Sequence, residues 1–211
     1  MYLLKMSLPC DIANIAKCHQ QSFANSFSTK LGVHYIAKSF EWFLSAPNKF
    51  LFHVEDDNKI AGYCGGFISQ YIGDGSTSGM MQYAMGEAAK GIIKNPLLLF
   101  HKELIPFYPL IVKNIFKKLF HKKNNTKSFS STPLEKKLGL VVIAVHPDYR
   151  GKGVFELLIK NFENEANLRN INKITLSVKR KNTRAINAYK KTGWLIDIAN
   201  KNTINMYKIL Q

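Results

Sequence analysis

Two stretches of this sequence could do chemistry together. The first is Arg150-Gly151-Lys152-Gly153-Val154-Phe155, set where an apolar run gives way to a helical pattern. Glycines at such a junction let backbone N–H groups close around an anion, and the start of the helix adds partial positive charge. Arg150 and Lys152 add full charges, so the hexapeptide reads as a diphosphate cradle. Its spacing matches neither the P-loop nor the dinucleotide fingerprint, and a solvated loop would use the same residue types. The second stretch opens at Asn182, a helix-capping residue type, and closes on Gly193-Trp194. Ala185 and Tyr189 stand four apart, hence on one helical face. Small Ala185 and Ala188 leave room for a ligand against the helix, with the Tyr189 phenol at its edge. A capped amphipathic helix with Tyr189 as a core aromatic accounts for the same residues without a ligand.

The elements that must hold these stretches can be read from periodicity. Leu138–Val145 (LGLVVIAV) is a continuous apolar run, the mark of a strand covered on both faces. His146-Pro147-Asp148-Tyr149 is a turn, and a helix follows from about Gly153 to Arg169 with Leu157, Leu158, Phe162 and Ala166 inward. Ile174–Val178 is a strand, Asn182–Thr192 a helix, and Trp194–Ile198 and Asn205–Leu210 are closing strands. Upstream, Tyr2–Met6 is a strand and Asp11 caps a helix to about Phe23. A second helix follows Gly32, with Tyr35, Ile36, Phe40 and Phe43 on one face. Phe50–Val54 and Ile60–Ser69 pair around the turn Asp56–Lys59. Gly62, Gly65 and Gly66 predict a bulge or a close backbone approach in the second of them. Strands and helices mixed in one layer predict an α+β fold with helices on both faces of the sheet.

Composition excludes several classes. The chain has 211 residues, 46% hydrophobic and 21% charged, ordinary for a single globular domain. Cys10, Cys18 and Cys64 are too few for a disulfide framework or a zinc knuckle, and the six histidines show no ligand spacing, so no metal is expected. No apolar segment reaches the roughly 18 residues of a membrane span. The opening residues lack the basic and apolar regions of a secretory leader, so a cytoplasmic protein is expected. The formal charge is +16, with 30 Lys+Arg against 14 Asp+Glu, which suits anionic partners. Only four of the 30 are arginines, and lysine is the poorer residue for fork-like recognition of bases. No nucleic-acid partner is expected.

Together, the two motifs resemble those of the GNAT superfamily of acyl-CoA N-acyltransferases. In that family a strand ending in Val is followed by Arg/Gln-x-x-Gly-x-Gly/Ala, and Asn-x-x-Ala-x-x-x-Tyr-x-x-x-Gly-aromatic comes later. Here these are Val145 with Arg150–Phe155, and Asn182–Trp194. The resemblance implies one N-acetyltransferase domain over residues 1–211, built on a mixed, mostly antiparallel sheet of about 6–7 strands flanked by helices. It implies acetyl-CoA as acyl donor and a small primary amine as acceptor. The pyrophosphate would lie on Arg150, Gly151, Lys152, Gly153, Val154 and Phe155. The pantetheine arm would follow Ile143, Ala144 and Val145, Asn182 and Ala185 would complete the site, and Tyr189 would serve the CoA thiolate. Phe155 departs from the family's Gly or Ala and would set the helix start farther from the cofactor. Neither Leu138–Val145 nor Ile174–Val178 carries a carboxylate, and Glu135 precedes its strand. A protein general base is therefore unassigned.

Between the third and fourth strands, residues 77–133 form an insertion. Lys90–Lys137 holds 11 lysines and two acids, with Pro96, Pro106 and Pro109 breaking it into short helices. It resembles the insertion of family members associated with surface-polysaccharide synthesis, as does Phe27–Tyr35 (FSTKLGVHY). That subgroup implies an amino sugar or nucleotide-linked amino sugar as acceptor; a peptide amine is the alternative. As a lid, the insertion should pack on the core beside the cofactor. As a membrane-surface module, residues 90–123 should segregate apolar and lysine faces; as an RNA-binding patch the insertion should expose aromatics for stacking, and dimerisation is the remaining reading. A CoA-binding protein without catalysis is the rival for the whole chain. His34, Tyr35, His53 and Asp74 could line an acceptor pocket, although structural roles suit each.

Overall fold

The computed structural model of the protein describes residues 1–69, 76–104 and 136–210. In chain order the strands are β1 (Leu3–Met6), β2 (Lys49–Asp56), β3 (Lys59–Ser69), β4 (Lys137–Val145), β5 (Lys173–Lys179), β6 (Leu195–Ala199) and β7 (Thr203–Ile209). They form one sheet in the order β1-β2-β3-β4-β5-β7-β6. Neighbours are antiparallel except β4 and β5, which run parallel. The helices are α1 (Ile12–Ser22), α2 (Phe27–Leu31), α3 (Val33–Glu41), α4 (Ser76–Tyr83), α5 (Met85–Lys94), α6 (Val154–Leu168) and α7 (Thr183–Lys191). This is the expected α+β class, with helices between β3 and β4. The short α2 is not evident from periodicity. Its signal is Ser26, whose hydroxyl accepts from Thr29 N–H and caps it.

Both faces of the sheet are covered, for reasons visible in the side-chain alternation. Phe50, Phe52 and Val54 of β2 meet the stripe Val154, Leu158, Phe162 and Ala166 of α6 on one face. Leu51 points the other way, into a core of Ile12, Ile15 and Ala16 from α1 and Tyr35, Ile36 and Phe40 from α3. Helix α6 ends where Asn170 turns left-handed. The Ile171 N–H then bonds the Ala166 carbonyl at 2.9 Å, closing the helix in a Schellman turn. The described part of the insertion joins the second core through buried Ala84 and Leu98, while Ile93, Leu97 and Phe100 are exposed. Asp74, Glu135 and positions 105–135 of the insertion lie outside the described residues.

A bulge sets the course of β4. Gly65 faces Val142 and Gly66 faces Leu140, so Val141 is an extra residue. Across the bulge the alternation changes phase: Leu138 and Leu140 belong to the α6 core, and beyond it Ile143 and Val145 do. The glycines also permit close approach. A Cβ on Gly66 would lie 2.3 Å from the Phe50 ring. That ring is held by Phe52 at 6.1 Å, Phe162 at 5.9 Å and the Arg169 guanidinium at 4.6 Å, so it has nowhere to go. Gly66→Ala should therefore destabilise the fold by about 1–3 kcal/mol, read as a lower urea midpoint with an unchanged slope.

Candidate active site

Strands β4 and β5 pair only where Leu138–Leu140 face Ile174–Leu176. Beyond that point, parallel neighbours part and leave a slot bordered by Leu140–Val145 on one side and Leu176–Lys179 on the other. This corrects the reading of Leu138–Val145 as covered on both faces. Leu138, Leu140 and Ala144 are buried, but Val141, Val142, Ile143 and Val145 are only half-buried because a cavity replaces the next strand. A strand that loses its partner keeps backbone donors and acceptors in need of one. An extended, amide-bearing ligand could supply it.

The slot belongs to a cavity of about 610 Å³. At one end stands the turn before α6. Gly151 and Gly153 hold φ of +74° and +80°, left-handed values that favour glycine. Gly153 is the N-cap, and the first N–H groups of α6 have no carbonyl four residues earlier to bond. Arg150 donates to the Ser22 carbonyl at 3.2 Å, and His146 Nε2 lies 2.9 Å from Gln21 Oε1. The cradle is thus tied to the end of α1. Arg150, Gly151 and Phe155 border the cavity, together with Glu156. Lys152, Gly153 and Val154 do not: Val154 is fully buried, and the Lys152 ammonium sits 5.6 Å from the Tyr149 ring.

Helix α7 forms the opposite wall with Asn182, Arg184, Ala185, Ala188 and Tyr189. The Asn182 side chain accepts from Ala185 N–H at 3.2 Å, so the helix begins on its own cap. At the other end Gly193 turns at φ +86° and the Trp194 N–H bonds the Tyr189 carbonyl at 3.1 Å. That turn lays the Trp194 ring 5.8 Å from the Tyr189 ring, while Phe155 meets the phenol edge-on at 5.6 Å. The departure at position 155 therefore joins the two motifs by an aromatic contact. The Tyr189 hydroxyl makes no hydrogen bond to the described residues and lies at the cavity. Burial, with the nearby Cys64 thiol, pushes its pKa above the ordinary phenol value.

Ile143, Ala144, Val145, Arg150, Gly151, Phe155, Asn182, Ala185 and Tyr189 thus meet in one cavity. Other lining residues are not singled out for the site by the sequence: His19, Ser22, Ser26, Ser28, Glu103 and Ser177. His19 hydrogen-bonds Tyr63 Oη through Nδ1 at 2.5 Å and Ser28 Oγ through Nε2 at 3.0 Å. Burial lowers its pKa to about 4, so the imidazole is neutral at physiological pH and fixes the Ser28 hydroxyl. Glu103 comes from the insertion. Of the residues considered for an acceptor pocket, Tyr35 and His53 are buried elsewhere, and exposed His34 does not line the cavity.

Among the described residues, one group has metal-ligand proximity: Asp11, His53 and Glu55, with ligand atoms within 4.8 Å of one another. Its atoms are already engaged. His53 bonds Ser7 at 2.8 Å and Glu55 at 3.1 Å, and Glu55 also holds Lys5 at 2.6 Å. The group does not border the cavity. No helix among the described residues is long and apolar enough to cross a membrane.

Residues 122–194 match the family model described as the acetyltransferase (GNAT) family. A comparison with curated proteins gave no match. Among solved structures, the chain is similar over 100% of its length to 95% of the ribosomal-protein-S18-alanine N-acetyltransferase of Escherichia coli, with TM-score 0.59 and 14% identity. It is similar to PaiA N-acetyltransferase of Thermoplasma acidophilum in complex with coenzyme A, covering 99% of each chain with TM-score 0.58 and 12% identity. Naa20 of Chaetomium thermophilum in complex with a bisubstrate analogue shares 16% identity and TM-score 0.55, over 99% of this chain and 86% of that one. At such identities the likeness is one of fold.

Proposed function

We propose that the chain is an acetyltransferase of the GNAT family, whose model matches residues 122–194 and whose fold it shares, and that it moves the acetyl group of acetyl-CoA to the primary amine of a small acceptor. The observation that carries this reading is the opening between β4 and β5, with a glycine cradle at one end and, in its wall, a phenol that has no hydrogen-bond partner among the described residues. The edge of Ile143, Ala144 and Val145 that faces away from β3 suits the amides of a pantetheine arm. The N–H groups at the start of α6, with Arg150, suit a pyrophosphate. Ala185 leaves space against α7, beside Asn182.

In this reading a neutral amine attacks the thioester carbonyl. The new C–N bond forms as the carbonyl becomes an oxyanion, and its collapse breaks the C–S bond. A backbone N–H of the Ile143–Val145 segment would hold the oxyanion, worth roughly 2.7–4 kcal/mol in comparable sites. Tyr189 would donate its hydroxyl proton to the leaving thiolate, and the proton lost by the amine leaves through water. A raised pKa keeps the phenol a donor across the neutral range.

For the acceptor, the amino-sugar reading draws on the Phe27–Tyr35 stretch, which places the Ser28 hydroxyl in the cavity beside that of Ser26. Hydroxyls there suit a polyol. A peptide amine is the second reading, motivated by the likeness in fold to an enzyme that acetylates the alanine of a ribosomal protein. The insertion serves as an acceptor platform, because it contributes Glu103 to the lining. The test is release of free thiol from acetyl-CoA in the presence of amino sugars, polyamines or peptides. Calorimetric acetyl-CoA binding without thiol release for any amine would support a CoA-binding protein instead.

A further inference from the structure

We propose that Glu103 is the seat of the acceptor's ammonium group and that Lys179 occupies this seat until an acceptor displaces it. The proposal rests on the acetyltransferase reading and deepens it, naming the residue that selects a cationic amine.

The chain carries a formal +16, and the cavity wall includes Arg150, Arg184 and Lys179. Such a wall favours an anionic cosubstrate and repels a protonated amine. A cationic acceptor therefore needs a local carboxylate. Among the described residues the cavity has two, Glu156 and Glu103. Glu156 lies in the first turn of α6, at the diphosphate end. Glu103 comes from the insertion and lies beside Phe27, whose backbone favours its charged form. The insertion is held there by the contact of the His101 and Phe27 rings, 5.4 Å apart.

Lys179 Nζ donates to Glu103 Oε1 at 3.0 Å. The pair joins the insertion to the free end of β5 across 76 residues of chain. It shows that this carboxylate takes a primary ammonium in the geometry available. Lys179 is free to leave for solvent, since its side chain is 71% exposed while that of Glu103 is 34% exposed. An ammonium has three donors, and Ser26 and Ser28 line the same cavity. Burial alone would raise the Glu103 pKa, but Lys179 and the Phe27 N–H outweigh it and hold the carboxyl below its ordinary value. The seat is therefore charged at neutral pH.

A displaceable stand-in and a merely structural ion pair make opposite predictions. The probe is n-butylammonium, with n-butanol as its neutral counterpart, and binding is read by saturation-transfer NMR at pH 7 with and without CoA. Wild type should prefer the ammonium. Glu103→Gln should abolish that preference, whereas Lys179→Met should strengthen ammonium binding several-fold by vacating the seat. Melting temperature should stay near wild type in both variants, and acetyl-CoA affinity near wild type in Glu103→Gln. No preference in wild type, a preference that survives Glu103→Gln, or weaker binding in Lys179→Met would each overturn the proposal. Failure of wild type to bind acetyl-CoA in calorimetry would instead overturn the acetyltransferase reading, independently of the ammonium result.

Discussion

Tyr189→Phe should lower the rate of acetyl transfer by about 10²–10⁴-fold, the usual contribution of a positioned general acid. That corresponds to roughly 2.7–5.5 kcal/mol of transition-state stabilisation. The substitution keeps the ring, and the ring is what the fold uses: it lies between Phe155 and Trp194 and is 5% exposed. The hydroxyl has no hydrogen-bond partner among the described residues, so its removal leaves no buried donor or acceptor unsatisfied. Melting temperature and acetyl-CoA affinity should therefore hardly move. The pH dependence follows from the direction of the shift. A pKa raised above the ordinary phenol value keeps the proton in place, so no activity loss traceable to Tyr189 should occur below about pH 10. A wild-type rate in the variant would make Tyr189 a packing residue, the alternative its sequence context leaves open. Loss of stability together with binding would make the hydroxyl structural.

The legible parts of the fold are those with local signals. Asn182 and Gly193 bracket α7 by capping chemistry, and the four-residue spacing of Ala185 and Tyr189 puts both on the cavity wall. The Gly65-Gly66 pair foretells the bulge that turns β4. What the sequence hides depends on contacts between distant segments. The apolar run Leu138–Val145 reads as a strand buried on both faces, because composition does not reveal where a neighbouring strand departs. Its half-buried residues follow from β5 pairing only as far as Leu176. His19 looks like one more residue of an amphipathic helix; its role depends on Tyr63, 44 positions away. Glu103 is one of two acids in a lysine-rich block, and only the tertiary fold brings it to Lys179 and Phe27. The described acids of this cavity come from a helix start and the insertion, not from the strands.

Gly151→Glu should abolish acetyl-CoA binding while leaving the fold intact. Gly151 borders the cavity at φ +74°, and a Cβ built there meets nothing within 4 Å. A side chain at this position therefore extends into open space and displaces no core atom. The fold loses only the cost of a left-handed non-glycine residue, about 1–2 kcal/mol. Gly151→Ala carries the same backbone strain without the charge, so it is the control. The two variants should melt at similar temperatures below wild type. Their affinities should differ widely, because a carboxylate in the cradle faces the anion that the N–H groups and Arg150 would otherwise hold. Every tenfold loss is about 1.4 kcal/mol, and a hundredfold gap between Glu and Ala in calorimetry is the expected scale. High salt should narrow that gap, since the repulsion is partly exposed to solvent and is screened over about 8–10 Å at physiological ionic strength. Equal affinities for the Glu and Ala variants would remove the diphosphate from this turn and leave the glycines as ordinary helix-start geometry.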